Sequence, residues 1–357
     1  MTLQEIAVQR LASQRLIGEL FMDAEAVVRH FMCVQAQDYY GAKWAVAQRT
    51  AGVTSAQIDE LYDAGKILRL HIMRPTWHFV LPEDIRWILK LTSPRAHQVN
   101  AYYYRKCELT PEIFAKSNAL FKKVLAGNNF KTRTELKAEL EAAGISTADL
   151  RLTYLLAYAE LEGVLCSGPR RGKQHTFALL DERALDPGSQ LEGEEALKTF
   201  VRQYFAAHGP AQIHDLVWWA SLTVAQVKRG IELAGDLQSV EVEGKTYWFV
   251  LAAEPKVQSP LVRLLPNYDE LTVAFKDHAA SSDTARINTA KPSEREFVFY
   301  YHVITVDGRA VGGWTVDKKN QVHLRLIGTL SSAEMSGIKA ELVRMSDFLQ
   351  ASVTLAV

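Results

Sequence analysis

Two amides and a carboxylate, Gln35, Gln37 and Asp38, follow directly on an apolar stretch, Ala26-Val27-Val28-Arg29-His30-Phe31-Met32-Cys33-Val34. A glutamine amide carries both donor and acceptor and can hold a water molecule in a fixed place. A carboxylate can assist such a water, or it can cap a following helix. Val28, Phe31, Met32 and Gln35 have the spacing of one helix face, which predicts a helix over 24–35 ending on the amides. Asp38-Tyr39-Tyr40-Gly41 reads as a break before a second helix, from about Ala42 to Gln48. Polar groups gathered where two helices meet can line a pocket. They can equally be buried amides that tie the helices together, since an amide on a core face must find hydrogen-bond partners. From the residues alone the tie is the preferred reading of the glutamines, and the cap is the preferred reading of Asp38.

Other chemistry-bearing groups are cations. Arg74, Thr76 and His78 alternate along a β-prone run and are expected on one strand face. That face suits phosphate contact, and it also suits an exposed polar face backed by Trp77 and Phe79. Arg170, Arg171 and Lys173 fall in an expected hairpin tip, Gly168 to Gln174, where long cations can reach a nucleic-acid backbone or minor groove. A solvated tip is the alternative. Lys131 and Arg133 stand at the start of a helix that could face phosphate, and Trp218-Trp219 reads as core packing. Cys33, Cys107 and Cys166 have neither disulfide nor metal-ligand spacing, and a His/Cys cluster and a glycine-rich phosphate loop are absent. The expectation is a protein with no metal and no cofactor.

These residues need elements to position them, and a unit of helices followed by a strand pair occurs three times. Helices are expected over Leu3–Arg15, Ala24–Gln35, Ala42–Gln48 and Ser55–Ala64, then a hairpin from 66 to 81 turning at Arg74-Pro75. The second unit has helices near Pro111–Ala126, Thr132–Ala143 and Ser146–Leu161, with Gly144 as a C-cap glycine, and a hairpin from 164 to 180. The third has helices over Ala196–Ala207, Ile213–Ala220 and Thr223–Leu233, and a hairpin turning at Glu243-Gly244. Repeated, this is the plan of tandem winged helices. Beyond Ala252 the pattern changes to alternating strands over Glu296–His302, Val303–Val306, Ala310–Val316 and Gln321–Gly328, with a turn at Asp307-Gly308. A closing helix covers Ser332–Leu349, and the polar stretch 278–293 reads as a mobile loop. The expected fold class is α+β, mainly α: winged-helix units at 1–95, 96–188 and 189–253, then a separate antiparallel β-rich unit at 254–357.

Among its 357 residues, 41 Lys and Arg balance 41 Asp and Glu, so the formal net charge is zero. A neutral total argues against a nucleic-acid partner. The distribution weakens that objection, because residues 66–137 carry 14 Lys and Arg against 5 Asp and Glu. Such an asymmetry can form one positive surface on a neutral protein, or it can be spread over solvated helix faces. No apolar run has the length of a membrane span, and the first residues lack a secretion signal. A cytoplasmic, reduced protein is expected.

The chain resembles the winged-helix family that includes the AlkZ-type DNA glycosylases. The resemblance runs through Val34-Gln35-Ala36-Gln37-Asp38, Arg74-Pro75-Thr76-Trp77-His78, Gly168-Pro169-Arg170-Arg171-Gly172-Lys173, Asp215-Leu216-Val217-Trp218-Trp219-Ala220 and Leu265-Pro266-Asn267-Tyr268-Asp269-Glu270. It implies a monofunctional DNA glycosylase acting on cationic alkylated purines in duplex DNA, and interstrand crosslinks in some members. Gln35 and Gln37 match the family's Gln-x-Gln signature; some relatives have an aspartate where this chain has Gln37, a difference that bears on the range of lesions. The resemblance makes Gln37 the water-positioning group, Gln35 its support and Asp38 a candidate carboxylate. Arg74, Thr76, His78, Lys131, Arg133, Arg170, Arg171 and Lys173 become candidate DNA contacts. A monomer bound to duplex DNA is expected, nucleoid-associated when bound. The alternatives are a DNA-binding regulator without catalysis and a winged-helix interaction protein.

Overall fold

The computed structural model describes residues 1–186, 188–251, 258–289 and 302–356. The fold mixes helices, about half of the chain, with largely antiparallel sheets. Helix starts follow local chemistry: Asp23 accepts from the Ala26 amide, and Thr2, Thr54, Thr132, Thr223 and Ser331 each form a reciprocal capping box three residues long. The observed helices Leu3–Ser13, Ser55–Asp63, Pro111–Leu125, Arg133–Ala142, Ile213–Ala220 and Ser332–Leu349 lie where periodicity predicts them.

Each predicted hairpin is present, and each carries one further strand or bridge from the preceding segment. Val34–Gln35 pairs with Trp77–Val80, which pairs with Leu68–His71. Lys131–Thr132 pairs with Gln174–Leu179, which pairs with Leu165–Arg171. Leu237–Val242 pairs with Lys245–Val250, and Ala211 bridges to Trp248. The recurrence lies in topology as well as in element order.

Several expectations are corrected. The helix from Ala24 stops at Phe31, because Met32 takes a positive φ of 62° and turns the chain into the strand Val34–Gln35. Gln35 therefore lies opposite His78 in a sheet and not on a helix face. Arg74 and Thr76 lie in the turn before the strand Trp77–Val80, so they do not alternate with His78 along one face. The second hairpin turns at Gly172-Lys173; Arg170 and Arg171 are the last residues of a strand and not part of a long tip. A helix the periodicity did not predict, Pro82–Lys106, continues through Pro94 and crosses the position drawn as a boundary at 95. Part of the stretch 278–293 is the short helix Thr284–Thr289, and the expected strand over Glu296–His302 lies outside the described residues except for His302.

The last sheet has the order Thr354–Leu355, Gln321–Leu326, Arg309–Val316, His302–Val306, Val262–Leu265, and its first pair is parallel. It does not stand apart from the first helices. Val27, Phe31 and Trp44 share one apolar cluster with Val262, Leu264, Ile304 and Phe348. Trp44 Nε1 donates to the Leu264 carbonyl at 2.7 Å. Arg49, fully buried, grips Asp269 through two bonds of 2.8 and 2.9 Å and also donates to Gln14 Oε1 at 2.7 Å. Among the described residues no helix is long and apolar enough to cross a membrane.

Candidate active site

The strand Val34–Gln35 and the cap at Asp38 present the two glutamines differently. Gln35 is buried and Gln37 is exposed. The Gln35 side-chain carbonyl accepts from the Gln37 amide at 3.1 Å, so the first glutamine sets the backbone of the second. The Trp77 amide donates to Gln37 Oε1 at 3.4 Å, a long bond. Arg69 donates from Nε to the Ala36 carbonyl at 2.9 Å and stacks its guanidinium 4.4 Å from the Trp77 ring, closing the loop from below. Asp38 accepts from the Tyr40 and Gly41 amides at 3.1 and 3.2 Å and so caps the helix Tyr39–Ala47. Gly41 is required by this packing, because a Cβ there would stand 2.8 Å from Asp38 Oδ2 and 3.2 Å from Pro266.

Against Gln35 lies Glu270, to which spacing in the sequence assigns no role. Its carboxylate is buried and accepts from the Gln35 amide at 2.7 Å and from Trp219 Nε1 at 2.9 Å, with His208 Nε2 at 3.1 Å. Asp269 caps the short helix Glu270–Val273 while holding Arg49, so a buried ion pair fixes the element that carries Glu270. The signal available for Glu270 is its position, a carboxylate directly after another and directly before Leu271.

The three residues Arg74, Thr76 and His78 share an unusual property. Arg74 Nε and one terminal nitrogen, Thr76 Oγ1 and His78 Nε2 are all enclosed and lack a hydrogen-bond partner among the described residues. Enclosed polar atoms without partners are uncommon and point to a site that serves something else. His78 is fully buried, and burial followed by the charge of Arg74 pushes its imidazole well below the usual value, so it is neutral at physiological pH. Burial also lowers Arg74, against the attraction of Glu270.

The other candidate cations are largely occupied. Arg170 is bound to Asp63 and Asp59, with contacts of 2.7 and 2.9 Å. Arg171 pairs with Glu135 at 2.8 Å, Lys131 with Glu139 at 2.9 Å, and Arg133 donates to Thr153 Oγ1 at 2.8 Å. Lys173, at the turn, is exposed and has no ion pair among the described residues. Trp219 is core, as expected, whereas Trp218 is 49 % exposed and belongs to a surface cavity. No group of His, Cys, Asp and Glu that could hold a metal occurs among the described residues.

A family model described as "AlkZ-like: DNA glycosylase AlkZ-like" matches residues 28–348. The interstrand DNA cross-link repair glycosylase of Streptomyces sahachiroi is 27 % identical over 330 residues, covering 88 % of this chain and 87 % of that protein. The solved structure of the Streptomyces sahachiroi DNA glycosylase AlkZ superposes with a TM-score of 0.81 over the whole of both chains, at 21 % identity, a likeness of fold. The family match and the curated relative identify a DNA glycosylase, a DNA-repair hydrolase acting on N-glycosyl bonds. The chain belongs to the AlkZ-like DNA glycosylase family.

Proposed function

We propose that this glycosylase excises purines alkylated at N7 or N3 from duplex DNA, and that interstrand crosslinks, named for its Streptomyces relative, fall within the same chemistry. Such a base already carries positive charge and leaves readily. The enzyme then needs little acid catalysis; it needs a placed water and electrostatic support for the developing sugar cation. The observation that carries the reading is the pairing of a buried Gln35, anchored on Glu270, with an exposed Gln37 whose backbone it holds. Gln37 positions the water, Gln35 supports it, and Asp38 contributes as the cap of the adjoining helix and as a nearby carboxylate.

DNA is the partner that family membership implies. We read three winged-helix units, drawn at 1–95, 96–188 and 189–253 with the helix Pro82–Lys106 running from the first into the second, and 254–357 as a β-rich unit packed on the first. Lys173 is the proposed phosphate contact among the hairpin cations. Arg170, Arg171, Lys131 and Arg133 would reach DNA only by sharing their present partners. Arg74, Thr76 and His78 are proposed DNA contacts that the substrate would have to uncover, because their unpartnered atoms are enclosed. The enzyme is proposed to act as a cytoplasmic monomer, without metal or cofactor and without a lysine nucleophile.

The test is release of free base from a duplex containing N7-methylguanine. Wild type is expected to release it, and Gln37→Ala to lose roughly 100-fold or more in rate, the scale of one lost transition-state contact, while keeping its affinity for the duplex. Binding without release from any alkylated or crosslinked duplex would overturn the assignment.

A further inference from the structure

The helix Glu270–Val273 connects Gln35 to a second feature. Glu270, its first residue, binds the Gln35 amide, and the carbonyl of Val273, its last, accepts from Trp218 Nε1 at 3.3 Å. Beyond Val273 opens a cavity of about 480 Å³ lined by Trp218, Asn267, Tyr268, Thr272, Phe275 and Lys276. That volume lies within the range of roughly 300–1,000 Å³ usual for pockets that take small organic groups. Two large rings keep free surface there, Trp218 at 49 % and Tyr268 at 40 %. Tyr268 has a φ of 63°, a conformation bulky residues rarely adopt and one that tends to gather at ligand sites.

Charge selects the occupant. The Arg74 guanidinium lies 5.7 Å from the Trp218 ring. Lys276 is exposed on the rim, and the neighbouring Asp277 is already engaged by Lys245 at 2.5 Å and Gln212 at 2.8 Å. An aromatic-lined cavity with Lys276 at its rim and the Arg74 guanidinium close to the Trp218 ring disfavours a cationic purine. It suits an uncharged base on a phosphate backbone, because any base offers a π-face for stacking and Lys276 can meet its phosphate.

We infer that the Trp218–Tyr268 cavity receives an uncharged nucleobase displaced from the duplex, stacked on Trp218 with its phosphate at Lys276. The inference rests on DNA as substrate but not on which lesion is excised. Affinity is measured at several salt concentrations for a fully paired duplex and for the same duplex with one bulged thymine. Wild type binds the bulged duplex more tightly. Trp218→Ala weakens that complex by roughly 5- to 150-fold and leaves the paired complex unchanged. Trp218→Phe retains most of the preference, and Lys276→Ala reduces the salt slope on the bulged duplex by about one.

Equal binding of both duplexes by wild type, or an equal loss on both with Trp218→Ala, sinks the proposal. If Trp218→Ala does not fold, 2-aminopurine placed in the bulge decides: its emission is quenched in the wild-type complex and recovers with Trp218→Phe, and identical emission in the two rejects the stacking. Base release enters none of these readouts. Loss of the alkylpurine assignment therefore leaves the cavity standing, and release without a bulge preference removes the cavity alone.

Discussion

At the residue scale the two glutamines divide their work by burial. Gln37 is exposed and bonded only weakly through its side chain, so its truncation is expected to lower the release rate without lowering stability. Gln35 is buried and its carbonyl holds the next loop residue, so Gln35→Ala is expected to cost about 1 kcal/mol of stability as well as activity, read as a lowered urea midpoint beside a lowered release rate. Glu270 is the more sensitive position. Glu270→Ala strands the Gln35 amide and Trp219 Nε1 in the interior, and a loss of about 2–5 kcal/mol is expected from chemical denaturation. An unchanged midpoint in Glu270→Ala would show that the carboxylate is not the anchor of this site.

At the scale of elements, the helix Tyr39–Ala47 and the short helix Glu270–Val273 fix the site from two sides. Asp38→Ala removes a cap and is expected to cost about 1 kcal/mol, whereas Asp38→Ser restores the cap without the charge. If Asp38 acts as a cap, Asp38→Ser releases base at the wild-type rate; a deficit in the serine variant with intact stability assigns the carboxylate to catalysis. Arg49→Ala leaves Asp269 buried without its partner, and a destabilisation of about 3–5 kcal/mol is expected, measured as a large drop in Tm.

The same scale explains what the sequence concealed. Met32, Cys33 and Val34 are apolar, and a short apolar run has the same signature in a helix end and in a buried strand. Only the pairing of Val34 with Phe79 and of Gln35 with His78 separates the two, and those partners are more than forty residues away. The second hairpin departs from its expected tip for the opposite reason. Gly168-Pro169 suggests a turn locally, but the partner strand holds the chain extended through a bulge as far as Arg171.

For the whole molecule, protonation is a stability variable. Burial holds His30 and His175 at about 4 and keeps His78 well below its usual value, so the folded state leaves them neutral where the unfolded chain would charge them near 6.5. The unfolded state therefore binds more protons between about pH 6.5 and 4. Stability is present in full above that window and declines as pH falls through it. A Tm that drops on acidification from pH 7 to 4.5 is expected, with a shallower slope in His175→Gln; a flat profile would refute the burial of these imidazoles.

The sequence by itself determined most of the helices, Pro82–Lys106 excepted, because capping residues and periodicity are local, and it determined the recurrence of helices and hairpins and the family, because motif order survives divergence. It also marked Gln35, Gln37 and Asp38. Tertiary structure decided what those residues do for one another: Gln35 became a strand residue resting on Glu270, and Arg170 and Arg171 became partners of acids distant in sequence. It likewise divided Trp218 from Trp219, leaving one ring in the cavity and the other in the core. Each of these outcomes depends on which long-range partner desolvates or pairs a side chain, and local spacing carries no information about that.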